Sequence, residues 1–504
     1  MGVTFTKEQQ QVIDLRNRNI LVSAAAGSGK TAVLVERIIT RLTKDESPLN
    51  VDQLLIVTFT SAAAAEMKER IHNAIEKALE DNQENEHLQR QATLIHQAQI
   101  TTIHQFCLSV IKDYFHTIDL DPGFRVGEEG ELKLLQQDVV NDVLEIEFQE
   151  GKPEFMSFVE CFSPGKDDKN LDELILQLYK FSRSYPNPNV WLDLCAEQYA
   201  VASAKELEEK SYVQELIAEI HENLKQMQDL IKHGMKICEM DDGPAAYLVT
   251  LEADLETLEP LFEAKTFSEM RNVLGILKFA KLASNKDKTV DEKKMLHVKA
   301  IRKEIKEYVK YLMENYFYDD ISMLAKDMAS MYSSVKMLTD LVKRFADKFT
   351  EEKKAKNLID FNDMEQYALR ILTKEVEGIL VPSEVAESYQ QKFAEVMIDE
   401  YQDSNYVQEA ILTSVSGVSK GIYNVFMVGD VKQSIYRFRL SRPELFMEKF
   451  NTYGTEDCEK QRIDLHKNFR SRREVLDSTN YMFHQIMLSS FGGIDYDEEA
   501  ALYV

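Results

Sequence analysis

The stretch Leu21-Val22-Ser23-Ala24-Ala25-Ala26-Gly27-Ser28-Gly29-Lys30-Thr31 constrains the fold more than any other part of the chain. It follows the apolar run Ile20 to Val22 and enters Ala32-Val33-Leu34-Val35-Glu36-Arg37-Ile38-Ile39, whose apolar residues recur with helical spacing. The segment reads as strand, loop and helix. A loop of small residues that opens a helix leaves several backbone N–H groups unpaired and aimed at one spot, where the helix dipole also favours negative charge. Phosphate suits that spot. Ala24, Ala25, Ala26, Gly27, Ser28 and Gly29 would form the cradle, Lys30 a point charge for the outer phosphates, and the Thr31 hydroxyl a ligand for magnesium. Ala24 stands where the G-x-x-x-x-G-K-[ST] pattern has its first glycine, and the alternative is a plain glycine-containing turn between strand and helix.

Around this loop the chain alternates strand and helix. Leu54-Leu55-Ile56-Val57-Thr58-Phe59 is a continuous apolar run of the kind a strand buried on both faces shows, and it turns through Thr60-Ser61 into an alanine-rich helix. A third run, Ile100 to Cys107, ends in hydroxyls, the His104 imidazole and the Phe106 ring. This is the grammar of a doubly wound parallel sheet, whose ligands sit at the carboxyl ends of the strands, so Thr58 to Ser61 and Thr102 to Phe106 should share one rim. From Asp121-Pro122-Gly123 to Lys356 the pattern is almost all helical, with breaks at Ser163-Pro164-Gly165, Pro186-Asn187-Pro188 and Asp241-Asp242-Gly243-Pro244. It reads as a helical domain inserted into the sheet domain. Lysines outnumber acids from Lys278 to Lys310, which is either a phosphate-contacting surface or a solvated helix face.

The sheet resumes near Leu358-Ile359-Asp360-Phe361. Phe393 to Glu400 reads as a strand with Asp399-Glu400-Tyr401-Gln402-Asp403 at its carboxyl end. Adjacent carboxylates there are costly unless a cation sits with them. Asp399 suits magnesium and Glu400 suits orienting and deprotonating a water; the alternative is a surface acidic patch. After the strand Asn424 to Val428 comes Gly429-Asp430-Val431-Lys432-Gln433-Ser434-Ile435-Tyr436-Arg437-Phe438-Arg439. The Gln433 amide can sense a phosphate or water there, while the aromatic and guanidinium planes can stack bases. Near the N-terminus Thr6 and Gln9 fit a capping box, and the alternative for Gln9 is an amide that reads the edge of adenine.

Composition narrows the partners. The 504 residues carry a net charge of -26, which argues against coating nucleic acid by bulk attraction and leaves room only for a local track. Hydrophobic content of 44% and charged content of 29% are those of a globular protein, and the length suggests roughly three domains. Five scattered cysteines, none in C-x-x-C spacing, with no long apolar run and no leader pattern, lead to the expectation of a cytoplasmic protein with no membrane partner.

In order along the chain, Phe5-Thr6-Lys7-Glu8-Gln9-Gln10, Ala24 to Thr31, Val57-Thr58-Phe59-Thr60, Thr102-Ile103-His104, Asp399 to Asp403, Val428-Gly429-Asp430 with Gln433 to Arg439, and Asn468-Phe469-Arg470-Ser471 resemble the superfamily-one DNA helicases of the UvrD, PcrA and RecB group. The spellings Ser23 to Gly27, Thr60 to Met67 and Asp430 to Ser434 look most like the AddA-type helicase components of bacterial AddAB helicase-nucleases.

The resemblance implies a P-loop, RecA-like parallel sheet domain over 1–120 and 357–455, an all-helical insertion over 121–356, and the start of a second RecA-like domain over 456–504. It implies that Gln9 recognises adenine, that Lys30 and Thr31 hold the phosphates of ATP and magnesium, that Asp399 binds magnesium and that Glu400 activates water. Gln433 would sense the outer phosphate, Phe469 stack on the base and Arg470 act as an arginine finger. Phe59, Thr60, Thr102, His104, Tyr436, Phe438 and Arg439 would line a single-strand track, with Phe438 where relatives often have Trp. The implied activity is ATP-dependent, 3′ to 5′ unwinding of DNA at broken duplex ends for repair and recombination, with an AddB-type nuclease as partner in a heterodimer. It also implies an N-terminal part that lacks the nuclease domain and further motifs, and so hydrolyses little ATP alone. The alternatives are a non-catalytic scaffold that binds DNA ends around a structural nucleotide, and a P-loop enzyme unrelated to nucleic acid such as a kinase.

Overall fold

The computed structural model describes residues 4–45, 47–163, 169–287, 289–488, 494–498 and 500–504. Pro164 and Gly165, read above as a helix break, lie outside the described residues. Six parallel strands form the central sheet: β1 (Asn19–Ala24), β2 (Leu54–Thr58), β3 (Gln99–Thr102), β4 (Glu395–Ile398), β5 (Val425–Gly429) and β6 (Lys460–Leu465), in the order β6-β1-β5-β4-β2-β3. β2, β4 and β5 are buried along their whole length, which is why they carry the consecutive apolar runs Leu54–Val57, Val396–Ile398 and Val425–Val428 rather than alternating ones, while the buried Glu395 that opens β4 is paired with Arg37.

Successive residues of β1, β2, β4 and β5 feed two different cores. Ile20, Val22, Leu54, Ile56, Phe426 and Val428 pack with residues of α1 (Lys7–Asp14), α2 (Lys30–Thr43) and α3 (Ser61–Asp81), among them Ile13, Ile38 and Ile71. Leu21, Leu55, Val57, Val396, Ile398 and Met427 face the other side. There they meet α4 (Ile103–Tyr114), α5 (Phe361–Leu372) and α6 (Tyr406–Val415) through Phe106, Leu369 and Ile411. At roughly 2 kcal/mol for each large side chain withdrawn from water, these two cores fix the strand order and leave only the strand ends free for chemistry.

Two elements differ from expectation. The strand Lys460–Leu465, expected to open a second sheet domain, pairs along all of β1, from Asn19 with Lys460 to Ala24 with Leu465. Its burial alternates, with Gln461, Ile463 and Leu465 inward, as an edge strand requires. The run Ile100 to Cys107 is strand only to Thr102, because the Thr102 hydroxyl accepts the Gln105 N–H at 3.3 Å and starts α4 at Ile103.

The chain divides into two compact units. One comprises the described residues up to Leu192 with Leu338–Leu488 and Ile494–Val504, and the other is Asp193–Met337. The sheet-bearing unit thus takes in both flanks of the expected insertion 121–356. On one flank Tyr179 packs edge-on against Phe345 at 5.0 Å, and on the other the buried Lys353 donates to Asp360 at 2.8 Å and Asp363 at 2.5 Å. The second unit is helical, built on Ser211–Cys238, Leu248–Glu263 and Glu292–Asn315 around Leu224, Leu251, Leu258 and Ile305. Within the lysine-rich stretch, Arg302 is a core residue, ion-paired with Asp254 through Nη2 at 3.0 Å, rather than a surface cation. Lys299, Lys303, Lys306 and Lys310 line a cavity of about 310 Å³ with Glu307 and Leu282. No described helix is long and apolar enough to cross a membrane.

Candidate active site

The loop after β1 is shaped by two glycines with left-handed backbone, Gly27 at φ +73° and Gly29 at φ +83°. A Cβ on Gly27 would lie 2.6 Å from Asn468 Nδ2, so the position is closed to any other residue on two counts. Ala24 ends β1 fully buried with ordinary backbone, which explains why no glycine is needed there. Gly29 is the N-cap of α2 and supplies no side-chain cap, whereas α1, α3, α4, α5 and α6 are all capped, by Thr6, Thr60, Thr102, Asp360 and Asn405. The first N–H groups of α2 are therefore the ones left for an anion. Ser28 is buried with its hydroxyl unpartnered beside them.

Lys30 opens α2 and reaches across to the end of β4, where its Nζ lies 3.2 and 3.1 Å from the two Glu400 carboxylate oxygens. Glu400 stands at φ +53°, a left-handed conformation that costs a non-glycine residue ~1–2 kcal/mol and aims its side chain back at the loop. Gln402 Nε2 donates to Glu400 at 2.7 Å, Gln402 Oε1 accepts the Asp430 N–H at 3.0 Å, and Gln433 Nε2 donates to Asp430 at 2.8 Å. One hydrogen-bonded chain thus joins Lys30, Glu400 and Gln433, three residues distant in sequence. The links Gln402 and Asp430 stand inside motifs read from the sequence, but the sequence assigns them no role. Gly429 is small for the same reason, since a Cβ there would collide with Gln402 Oε1.

The acids here are under electrostatic stress. Burial, together with the Glu400 charge and despite Lys30, pushes Asp399 up to about 6, and the same causes push Asp403 up to about 7. Asp403 Oδ1 is buried without a partner. A carboxylate so destabilised is one that a cation would relieve, and Asp399, with the exposed Thr31 hydroxyl on the second residue of α2, offers oxygen donors of the kind magnesium takes.

Beyond β6, Asn468 is clamped on the loop: Nδ2 donates to Ala26 O at 2.7 Å, Oδ1 accepts the N–H groups of Arg470 and Ser471 at 2.8 and 2.7 Å, and Phe469 N–H donates to Gly27 O at 2.9 Å. Phe469 borders a cavity of about 240 Å³ with Thr6, Gln9, Ser28, Lys467 and Tyr503. Gln9 completes the capping box, with Oε1 accepting the Thr6 N–H at 2.9 Å, while its Nε2 donates to Ser28 O at 2.9 Å, so the amide is already shared between helix cap and loop. Arg470 is exposed and is not part of the hydrogen-bonded chain of Lys30, Glu400 and Gln433.

A larger cavity of about 590 Å³ adjoins the carboxylates, lined by Asp399, Glu400 and Asp403 together with Phe59, His104, Tyr436 and Arg439. The Phe59 and Tyr436 rings lie 4.5 Å apart, Phe438 is 5.9 Å from Tyr436, and the Arg439 guanidinium lies over both Tyr436 and Phe438. Thr60 and Thr102 each commit a lone pair to capping, accepting from Ala63 at 3.1 Å and Gln105 at 3.3 Å. His104 Nε2 is 3.2 Å from Glu365, a residue missed from sequence although an acid on the apolar face of α5 was a visible signal. Burial raises Glu365, but His104, Gln408 and Asn405 outweigh that and hold it below its ordinary value.

Residues 5–454 match the family described as UvrD/REP helicase N-terminal domain. The chain is also similar to the A subunit of the ATP-dependent helicase/nuclease of Lachnoclostridium phytofermentans, at 48% identity over 99% of this chain and 37% of that protein. The same protein from Clostridium beijerinckii is 43% identical over 100% of this chain and 41% of its own length, and that from Acetivibrio thermocellus 41% identical over 99% and 40%. The chain therefore spans about two fifths of the length of these relatives. A six-stranded parallel sheet with an uncapped glycine-flanked helix at the end of β1, and a family match that runs through nearly all of it, lead to one assignment: the chain belongs to the UvrD/REP helicase family.

Proposed function

We propose that this chain is the ATP-binding motor portion of a DNA helicase that steps 3′ to 5′ along a single strand, within a helicase-nuclease that processes broken duplex ends for repair and recombination alongside an AddB-type partner. The sheet-bearing unit is its first RecA-like domain. The observation that carries the reading is the continuous chain Lys30, Glu400, Gln402, Asp430, Gln433, which starts at the phosphate loop and ends beside the aromatic groove.

In that reading the uncapped N–H groups of α2 and Lys30 hold the triphosphate, with Phe469 and Gln9 at the base. Thr31 and Asp399 would hold magnesium, which would supply positive charge against the phosphate oxygens. Lys30 pairs with Glu400; drawn to phosphate, it would free the Glu400 carboxylate to orient a water and take its proton. Gln433 registers the change through Asp430 and Gln402, and Tyr436 and Arg439, a few residues on, shift their hold on stacked bases. Arg470, exposed two residues past Asn468, would act on the phosphates as an arginine finger.

The test is Lys30→Ala with a fluorescent ATP analogue and a labelled single-stranded oligonucleotide. The wild type should bind the analogue and change its oligonucleotide affinity when it does. The variant should lose at least about tenfold in nucleotide affinity, from one charge-assisted phosphate contact, and lose that response. Nucleotide binding of wild-type strength by Lys30→Ala would refute the assignment.

A further inference from the structure

We propose that Arg183, which lies outside every motif described above, is a phosphate-binding residue of the single-strand groove, holding the sugar–phosphate backbone from a wall that the segment after helix Lys169–Ser182 contributes. The inference rests on the reading of the 590 Å³ cavity as a single-strand track. Arg183 and Ser184 line that cavity with Phe59, Tyr436 and Arg439. Its lining carries four carboxylates, those of Glu365, Asp399, Glu400 and Asp403, against two permanent cations, Arg183 and Arg439. A polyanion entering such a groove in a chain of net charge -26 needs both.

Arg439 is exposed and lies over the faces of Tyr436 and Phe438, at 5.1 and 5.7 Å. Arg183 lies over a single ring, that of Tyr179 at 5.8 Å, a contact that leaves its N–H donors unused. Its nearest carboxylate is Asp363 Oδ1, 3.7 Å from Nη2 and beyond hydrogen-bond reach, and the Lys353 ammonium already bonds the other Asp363 oxygen at 2.5 Å. Among the described residues the Arg183 guanidinium makes no hydrogen bond, and its Nε is buried with no partner. A guanidinium with its Nε buried unpartnered and no hydrogen bond to the protein keeps its forked donors for acceptor oxygens, and a phosphodiester matches that geometry.

The segment is also held in place. Gln366 Nε2 donates to the carbonyls of Arg183 and Tyr185 at 3.0 and 2.9 Å. Tyr185 accepts from Arg442 at 2.9 Å and is stacked between Trp191 and Tyr406, at 4.7 and 5.4 Å. Arg442 N–H in turn donates to Ser404 O at 2.8 Å, one residue past Asp403. Arg183 is therefore presented on a rigid mount fastened to the segment that carries the carboxylates, which lowers the ordering cost of binding.

The experiment is fluorescence anisotropy of a labelled oligothymidylate over a range of salt, with wild type, Arg183→Gln, Arg183→Lys and Tyr436→Ala. Arg183→Gln should weaken binding about tenfold and lower the slope of log affinity against log salt by about 0.7, the value for one phosphate on a single strand. Arg183→Lys keeps the charge, so it should keep the wild-type slope and lose less affinity. The single tryptophan, Trp191, stacks on Tyr185 and reports in the same samples that the mount is intact. Wild-type affinity and slope in Arg183→Gln, with Tyr436→Ala weakened, overturns the assignment of Arg183 and leaves the groove standing. An equal loss of slope in Arg183→Lys and Arg183→Gln also overturns it, as a structural effect. No loss in Tyr436→Ala overturns the groove reading and the Arg183 assignment with it.

Discussion

Asp403→Asn should make the ligand-free protein more stable, and only above a defined pH. The carboxyl is buried, its Oδ1 has no hydrogen-bond partner, and the nearby Glu400 charge repels it, so its affinity for a proton rises from an ordinary 3.8 to about 7. At ~1.4 kcal/mol for each tenfold change in proton affinity, that is a cost of about 4 kcal/mol, which solvent screening, water penetration and relaxation reduce to about 2 kcal/mol. In the unfolded chain Asp403 loses its proton near pH 3.8, whereas in the folded chain it keeps it until about 7. Between those values the folded state holds the extra proton, so stability falls as pH rises and the whole cost is in force above about 7. Asparagine has the shape of the protonated acid and does not titrate. The variant should match wild type at about pH 4 and exceed it by about 2 kcal/mol, or ~2 °C in Tm, at about pH 8. Urea unfolding across that range measures the difference. A variant less stable than wild type at the alkaline end, or a gap that does not change with pH, would refute the account of a strained acid.

Two further substitutions probe the supports of the site. Lys353→Met leaves the Asp360 and Asp363 carboxylates buried without their ammonium, and should cost about 3–5 kcal/mol in urea unfolding; a loss under about 1 kcal/mol would mean that Arg183 and water suffice. Gly429→Ala drives a methyl group into Gln402, should cost about 1–3 kcal/mol, and should couple to Gln402→Ala, so that the double variant is less destabilised than independent losses imply. Simple additivity between the two would show that Gln402 has room to step aside.

Motifs legible in the sequence were those whose chemistry is local. The loop from Ala24 to Thr31 needs glycine for its backbone and small residues for its cradle, and Asp399-Glu400 follows an apolar run, so spacing alone exposes both. What stayed hidden depends on pairing across long stretches of chain. Lys460–Leu465 looked like a new unit because nothing in its own residues says that β1 is its neighbour. Arg183, Glu365 and Gln402 gain meaning only from what faces them.

The same rim also carries local costs that no motif reveals. α2 lacks the side-chain cap that the helices around it have, Ser28 Oγ, Asp403 Oδ1 and Arg183 Nε are buried without partners, and Glu400 and Leu440 take left-handed backbone at φ +53° and +64°. Each is a local cost of order 1–3 kcal/mol that a chain selected only for stability would shed. These costs gather at and beside the carboxyl ends of β1, β4 and β5, while the strands behind them are buried almost throughout. Buried groups without partners also occur away from this rim, at Asp52, Tyr308 and Gln390 among others, so what distinguishes the rim is that Ser28, Asp403 and Arg183 coincide there with an uncapped helix and a left-handed Glu400.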